Sequence, residues 1–210
     1  MTTEKVEWQG EINSVQPRIR LNRSFDERNH GYLGYSLQVD GTVAGVRKTF
    51  WLGIGKAAQV KHQFQFGVVA EGKASPVADS RIEAVDYYKA SALNVTGRTG
   101  DNPKDAPPWH GVPPALEDYR ARGHRRLSSR TYESKCSSCM WGAKMPVVIT
   151  VDHWNPSQQQ FRVETFCYGP KSCGLYKPGP TRKVPGRTGV SWEEEDWVDE
   201  EATAHRGVND

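Results

Sequence analysis

The chain has 210 residues, a hydrophobic share of 36%, 28 Lys and Arg against 25 Asp and Glu for a formal net charge of +3, and four cysteines. Such a length holds one large domain or two small ones around a modest core, and no run approaches the ~18 apolar residues of a membrane-spanning helix. Thr2-Thr3-Glu4-Lys5 is not the start of a signal peptide, so the composition reads as a soluble, cytoplasmic protein with no membrane partner.

Thirteen Pro, twenty Gly and seven Trp favour a loop-rich, mainly β chain. Residues 11–21 alternate, with Val15, Ile19 and Leu21 on one face and Gln16, Arg18 and Arg20 on the other, while Pro17 marks a bulge or an edge. After the polar turn 26–30, residues 32–40 form a second strand, and Asp40-Gly41 turns the chain into a third at 47–54. A short helix is expected over Lys56 to His62, then a fourth strand in 64–77, punctuated by Gly67 and Gly72, and a fifth in 87–95.

Phe66-Gly67-Val68-Val69-Ala70-Glu71-Gly72-Lys73 resembles the F-G-D-x-V-x-G stretch before the fourth strand of OB-fold barrels, with Val68 where that pattern often has Asp. The order of three strands, short helix and two strands over residues 6 to 97 is similar to that fold. The resemblance implies a ligand face on the second and third strands, often for single-stranded nucleic acid. The matching positions are Tyr32, Tyr35, Arg47, Lys48, Phe50 and Trp51, with Arg18, Arg20 and Arg23 across the first strand or its exit. Bases stack on flat aromatic faces while cations pair with phosphates; Tyr35, Phe50 and Trp51 fit core burial equally well, whereas strand arginines are harder to bury unpaired.

Five prolines between 97 and 115 forbid regular structure and make 98–115 a linker, in whose middle Trp109 can dock on either module. Beyond a short helix from Leu116, interrupted at Gly123, a basic cluster gathers Arg120, Arg122, Arg125, Arg126, Arg130 and Lys135. All four cysteines then follow: Cys136-Ser-Ser-Cys139, 27 residues, and Cys167 with Cys173. Two strands, 146–152 and 160–166, joined by a turn at Asn155-Pro156-Ser157, bring the cysteine pairs together as in a structural zinc ribbon, where four thiolates close a tetrahedron around Zn²⁺. Two disulfides are the competing reading and need an oxidising compartment. A second basic string, with Arg182 and Lys183, leaves the ribbon after Cys173.

Residues 193–210 hold eight acids against Arg206, a net −7, so residues 1–192 carry 27 bases against 17 acids, a net +10. A basic body suggests a polyanion; the acidic tail is free for solvent, for the chain's own arginines or for a partner protein. No Walker loop, dinucleotide fingerprint, HExxH or G-x-S-x-G is present, and Asp152, His153 and Glu164 fall on strand positions that need not converge. The expectation is an OB-like five-stranded barrel (1–97), the linker (98–115), a basic segment with a small zinc-ribbon β module (116–190) and an acidic tail (191–210). Its function is non-enzymatic binding of single-stranded RNA or DNA through Arg18, Arg20, Arg47, Lys48, Trp51, Arg122, Arg125, Arg126, Arg182 and Lys183, with zinc on Cys136, Cys139, Cys167 and Cys173. The alternative is an interaction adaptor or accessory subunit docked through the tail. OB-fold and ribbon pairs also occur in small partners of thiolase-like acyl-CoA enzymes, in the opposite order.

Overall fold

The computed structural model describes residues 4–99 and 106–210; Pro103 and the rest of 100–105 in the expected linker lie outside them. The first strand, β1 (Val6–Arg23), is the spine of the molecule. Along residues 8–23 it pairs antiparallel with β2 (Arg28–Val43), and along residues 6–11 it also pairs with β4 (Val68–Pro76). β3 (Val46–Ile54) pairs with β2, and β5 (Tyr87–Arg98) joins β4 antiparallel and meets β3 in parallel at Leu52 and Tyr87. The five strands therefore close a ring in the order β1-β2-β3-β5-β4.

Local chemistry explains the closure. On β3, Phe50, Leu52 and Ile54 are buried and alternate with Arg47, Thr49 and Trp51 on the other face, as a pleated strand with one dry side requires. Tyr35, Leu37, Val39 and Val43 do the same on β2. Where β1 and β2 approach most closely, Gly10 faces Gly41, and a Cβ on Gly41 would lie 2.0 Å from the carbonyl oxygen of Gln9. Only glycine permits that approach. Register shifts at Ile12/Ser14 and Arg18/Ile19 bend β1 so that it can serve several neighbours. Between β3 and β4 lies α1 (Lys56–His62), closed by Gln63 in the left-handed region and tied by Gln59 Nε2 to the carbonyl of Phe64 at 2.8 Å.

Beyond residue 106 the chain adds to the same sheet. β7 (Gly142–Thr150) runs parallel to the end of β1, Leu21 opposite Val147. β8 (Gln159–Cys167) pairs with β7, and β6 (Arg125–Arg126) pairs with β8. Ahead of β6 stands α2 (Leu116–Arg122); after it a single helical turn, α3 (Ser129–Thr131), widens into a π-type turn over Tyr132–Cys136. A small hairpin, β9 (Arg182–Pro185) with β10 (Ser191–Glu194), precedes α4 (Asp196–Ala202). One apolar cluster runs through both halves, from Ile12, Leu37 and Phe50 to Met145, Val147 and Tyr168. No helix among the described residues is long and apolar enough to cross a membrane.

Candidate metal centre and nucleic-acid interface

The β7–β8 hairpin sets Gly142 opposite Cys167, so the turn before β7 and the turn after β8 share one end of the sheet. In the first turn Cys139 N–H donates to the Cys136 carbonyl and Gly142 N–H to that of Cys139, both at 3.0 Å; in the second, Cys173 N–H donates to Pro170 O and Tyr176 N–H to Cys173 O, both at 3.1 Å. All four cysteines are free thiols and line one cavity of about 10 Å³ together with Trp109, Leu127, Trp141 and Tyr176. Cys136, Cys139 and Cys167 are buried.

Gln16 of β1 braces the first turn. Its Nε2 donates to the carbonyls of Cys136 (3.0 Å), Ser137 (3.2 Å) and Cys139 (2.9 Å), while its Oε1 accepts from the Tyr132 hydroxyl at 2.7 Å. Gly142 has to be glycine beside it, because a Cβ there would stand 2.7 Å from Cys136 O and 2.8 Å from that Nε2. The 106–115 stretch also leans on this end: Trp109 O accepts from Met140 N–H, and His110 stacks on Phe66 of the ring at 4.5 Å.

Burial, reinforced by the neighbouring thiols, pushes Cys136 up to about 12, and burial pushes Cys139 up to about 11; Cys167 is raised by the same cause. Opposing this, hydrogen bonding from the backbone of Trp141 and Trp109 lowers Cys139, and that from the backbone of Gly169 and the charge of Arg125 lower Cys167. Donors aimed at sulfur favour the thiolate, and a soft divalent cation is what allows several thiolates to share a dry cavity. The donor chemistry thus fits Zn²⁺ on Cys136, Cys139, Cys167 and Cys173. As positioned, no three His, Cys, Asp or Glu side chains among the described residues form a ligating group.

The expected nucleic-acid residues separate into two sets. Arg126 is 1% exposed; its backbone N–H and Nε donate to Asp199 at 2.9 and 3.0 Å, Nη1 donates to Glu194 O, and Nη2 meets Asp196. Arg182 is buried, with Nη1 2.7 Å from Glu164 Oε2 and Nη2 donating to Thr165 O. Arg122 lies over the Trp141 ring and donates to Tyr168 O, and Arg125 lies over Tyr176 and donates to Pro170 O. These four guanidinium groups are engaged within the fold. So are Tyr35 and Phe50, both buried in the ring, and Arg23, whose Nη1 donates to Glu194 at 2.8 Å. Arg18 and Arg20 both bind Glu83, in the loop between β4 and β5.

The second set is open. The Arg47 side chain is 79% exposed, 3.5 Å from Asp40. Lys48 lies over the Tyr87 ring and donates to its hydroxyl at 3.2 Å, and Lys183 is exposed on β9 opposite Glu193. Trp51 is half-buried on the outer row of β3 and shares a small cleft with Gln16, Ser36, Ala84 and the exposed Lys144 of β7. Sequence reasoning missed Gln16, Glu83 and Lys144: each is a polar residue at an ordinary alternating or loop position, and its importance comes from partners far along the chain. The acid and base residues Asp152, His153 and Glu164 have separate partners, Arg187, Asp26 and the Arg162–Arg182 pair. Comparison with models of known families, with curated proteins and with solved structures finds no match for this chain.

Proposed function

We propose that this protein binds single-stranded RNA or DNA without catalysing a reaction, on the outer face of an OB-like ring, and that a zinc ion on Cys136, Cys139, Cys167 and Cys173 holds its second half together. The observation that carries the nucleic-acid reading is the outer row of β3. Trp51 offers a half-exposed indole flanked along the strand by Arg47 and across a cleft by Lys144, which pairs a stacking surface with cations. Ring order and the parallel β3–β5 contact support the OB-like description. An aromatic face on a strand, open to unstacked bases, favours single strands over a duplex groove.

The test is fluorescence anisotropy of labelled single-stranded and duplex oligonucleotides against zinc-loaded protein at several salt concentrations. Single-strand binding should weaken linearly in log–log with salt, at a slope of about −0.7 per phosphate contacted. Trp51→Ala should lose ~1–3 kcal/mol of binding with unchanged folding; no binding at low salt would overturn the reading. Cys139→Ser should lose the metal by elemental analysis and lower the melting temperature, since metal binding contributes folding free energy. One zinc per chain with unchanged melting would remove the four-thiol site.

A specific observation favours the adaptor as second reading. Trp154, at the tip of the β7–β8 hairpin, is 85% exposed and Trp197 on α4 is 52% exposed, beside the exposed acids Glu195, Asp196, Glu200 and Glu201. Two exposed indoles suit a protein surface, and a stoichiometric partner recovered with the protein and lost in Trp197→Ala would support it.

A further inference from the structure

Residues 77–86, between β4 and β5, leave the ring and return to it at one place. Val77 N–H donates to Asp86 O at 2.9 Å, Asp86 N–H donates to Trp51 O at 2.9 Å, and Trp51 N–H donates to Asp86 Oδ2 at 2.7 Å. The ends of the loop are thereby fixed to β3, beside the indole of the proposed binding row. A loop of this length with adjacent ends has the form of an Ω-loop.

Its arm is held differently. Glu83 Oε2 accepts from Arg18 Nε at 3.1 Å and Nη2 at 2.8 Å, Glu83 Oε1 accepts from Arg20 Nη2 at 2.7 Å, and Arg20 Nε donates to Ile82 O at 2.9 Å. Ala84 lines the cleft that holds Trp51 and Lys144. Arg81, paired with Asp79, lies over the Phe161 ring at 4.6 Å. Val85 is the buried apolar residue of the loop, next to the fixed end. The arm is therefore attached by charge and the base by backbone and packing.

One carboxylate faces two guanidinium groups, so the pair keeps an excess of one positive charge. Both arginines present forks that suit a phosphodiester as well as a carboxylate, and a phosphodiester carries the same single negative charge. We propose that Glu83 is a displaceable stand-in for a backbone phosphate. In the free protein it closes Arg18 and Arg20, and a single strand stacked on Trp51 takes them over while the 78–84 arm swings out. The proposal rests on the nucleic-acid reading of the β3 row and adds how that face is opened. It also gives Arg18 and Arg20 a role in the complex that their pairing in the free protein conceals.

The experiment compares wild-type protein and Glu83→Gln, both zinc-loaded and full length, by anisotropy with a labelled single-stranded oligonucleotide, together with hydrogen exchange of residues 78–84 with and without it. Gln keeps the size of the side chain and removes the charge; melting temperature checks the fold. The expected result is binding on the order of tenfold tighter in Glu83→Gln, with faster exchange of 78–84 in the wild-type complex than in the free protein. Wild-type binding with an equal or weaker Glu83→Gln, or with a more protected loop, would overturn the gate and leave the nucleic-acid reading intact. Absence of binding by both proteins at low salt would remove that reading and the gate with it.

Discussion

Gln16 shows how much one side chain can decide. It stands on the polar face of β1 by sequence alternation, yet it is 2% exposed, because the Cys136–Cys139 turn closes over it. A strand's outer face is solvent only until another element covers it, and the covering turn lies 120 residues away. Gln16→Leu keeps the volume and leaves the carbonyls of Cys136, Ser137 and Cys139 and the Tyr132 hydroxyl without this partner. We expect a loss of about 2–3 kcal/mol in urea unfolding; a change below about 0.5 kcal/mol would mean that water replaces the amide. Arg126 carries the same lesson. A basic run suggests phosphates, but this member is buried under carboxylates whose position no local pattern reveals.

Among the elements, the strands were the most legible. β1, β2 and β3 each keep one dry face, but the alternation breaks where a second element covers the other face, as at 14–17 and 34–37, and of the two strands between the cysteine pairs β8 is buried at every position from 164 to 167. Their ends were less so: β1 extends to Val6 and Arg23 because it has partners on both sides, a fact about neighbours rather than about its own residues. The acidic end was legible only as charge. In the structure it is a hairpin and a helix laid against the arginines: Glu194 binds Arg23 and Arg28, and Asp199 binds Arg126. Intramolecular pairing is thus one of the uses open to that tail, and the exposed acids of α4 remain for others. Asp199→Ala should cost about 3 kcal/mol, because it deprives a buried guanidinium of the less exposed of its two carboxylates, whereas Glu200→Ala on the same helix should stay within about 0.5 kcal/mol. Equal effects of the two in thermal melts would show that Asp196 alone suffices for Arg126.

Across the whole molecule, the two halves meet at a pair of imidazoles, His30 half-buried and His124 buried. His30 of β2 and His124, ahead of β6, lie 4.9 Å apart, with His124 also against Phe166 and Tyr168. Burial, then the charge of Arg28, brings His30 down to about 4, and burial with His30, Arg28, Arg182 and Arg23 holds His124 well below its ordinary value. Burial raises Glu194, but Arg23, Arg28 and Arg182 outweigh it and hold that carboxyl below its ordinary value. A histidine with a depressed folded pKa stabilises the fold above its unfolded value of 6.5, and that stability drains away as pH falls from 6.5 toward 4. His30 accounts for about 3 kcal/mol of it, and Glu194 adds to the loss only below about 4.5. Unfolding midpoints should therefore fall steeply between pH 6.5 and 4.5, and His30→Gln should flatten that slope. A variant as pH-sensitive as the wild type would place the acid lability elsewhere.

The parallel contact between the end of β1 and β7 also has a temporal side. Leu21 leaves the ribosome 126 positions ahead of Val147, its neighbour in the finished sheet. Contacts so distant in sequence close slowly, because loop-closure entropy comes before the reward. During synthesis the first strand thus waits with an open hydrogen-bonding edge over Leu21 to Arg23 until the cysteine-bearing half has been made. The ring comes first along the chain, but its first strand is completed last.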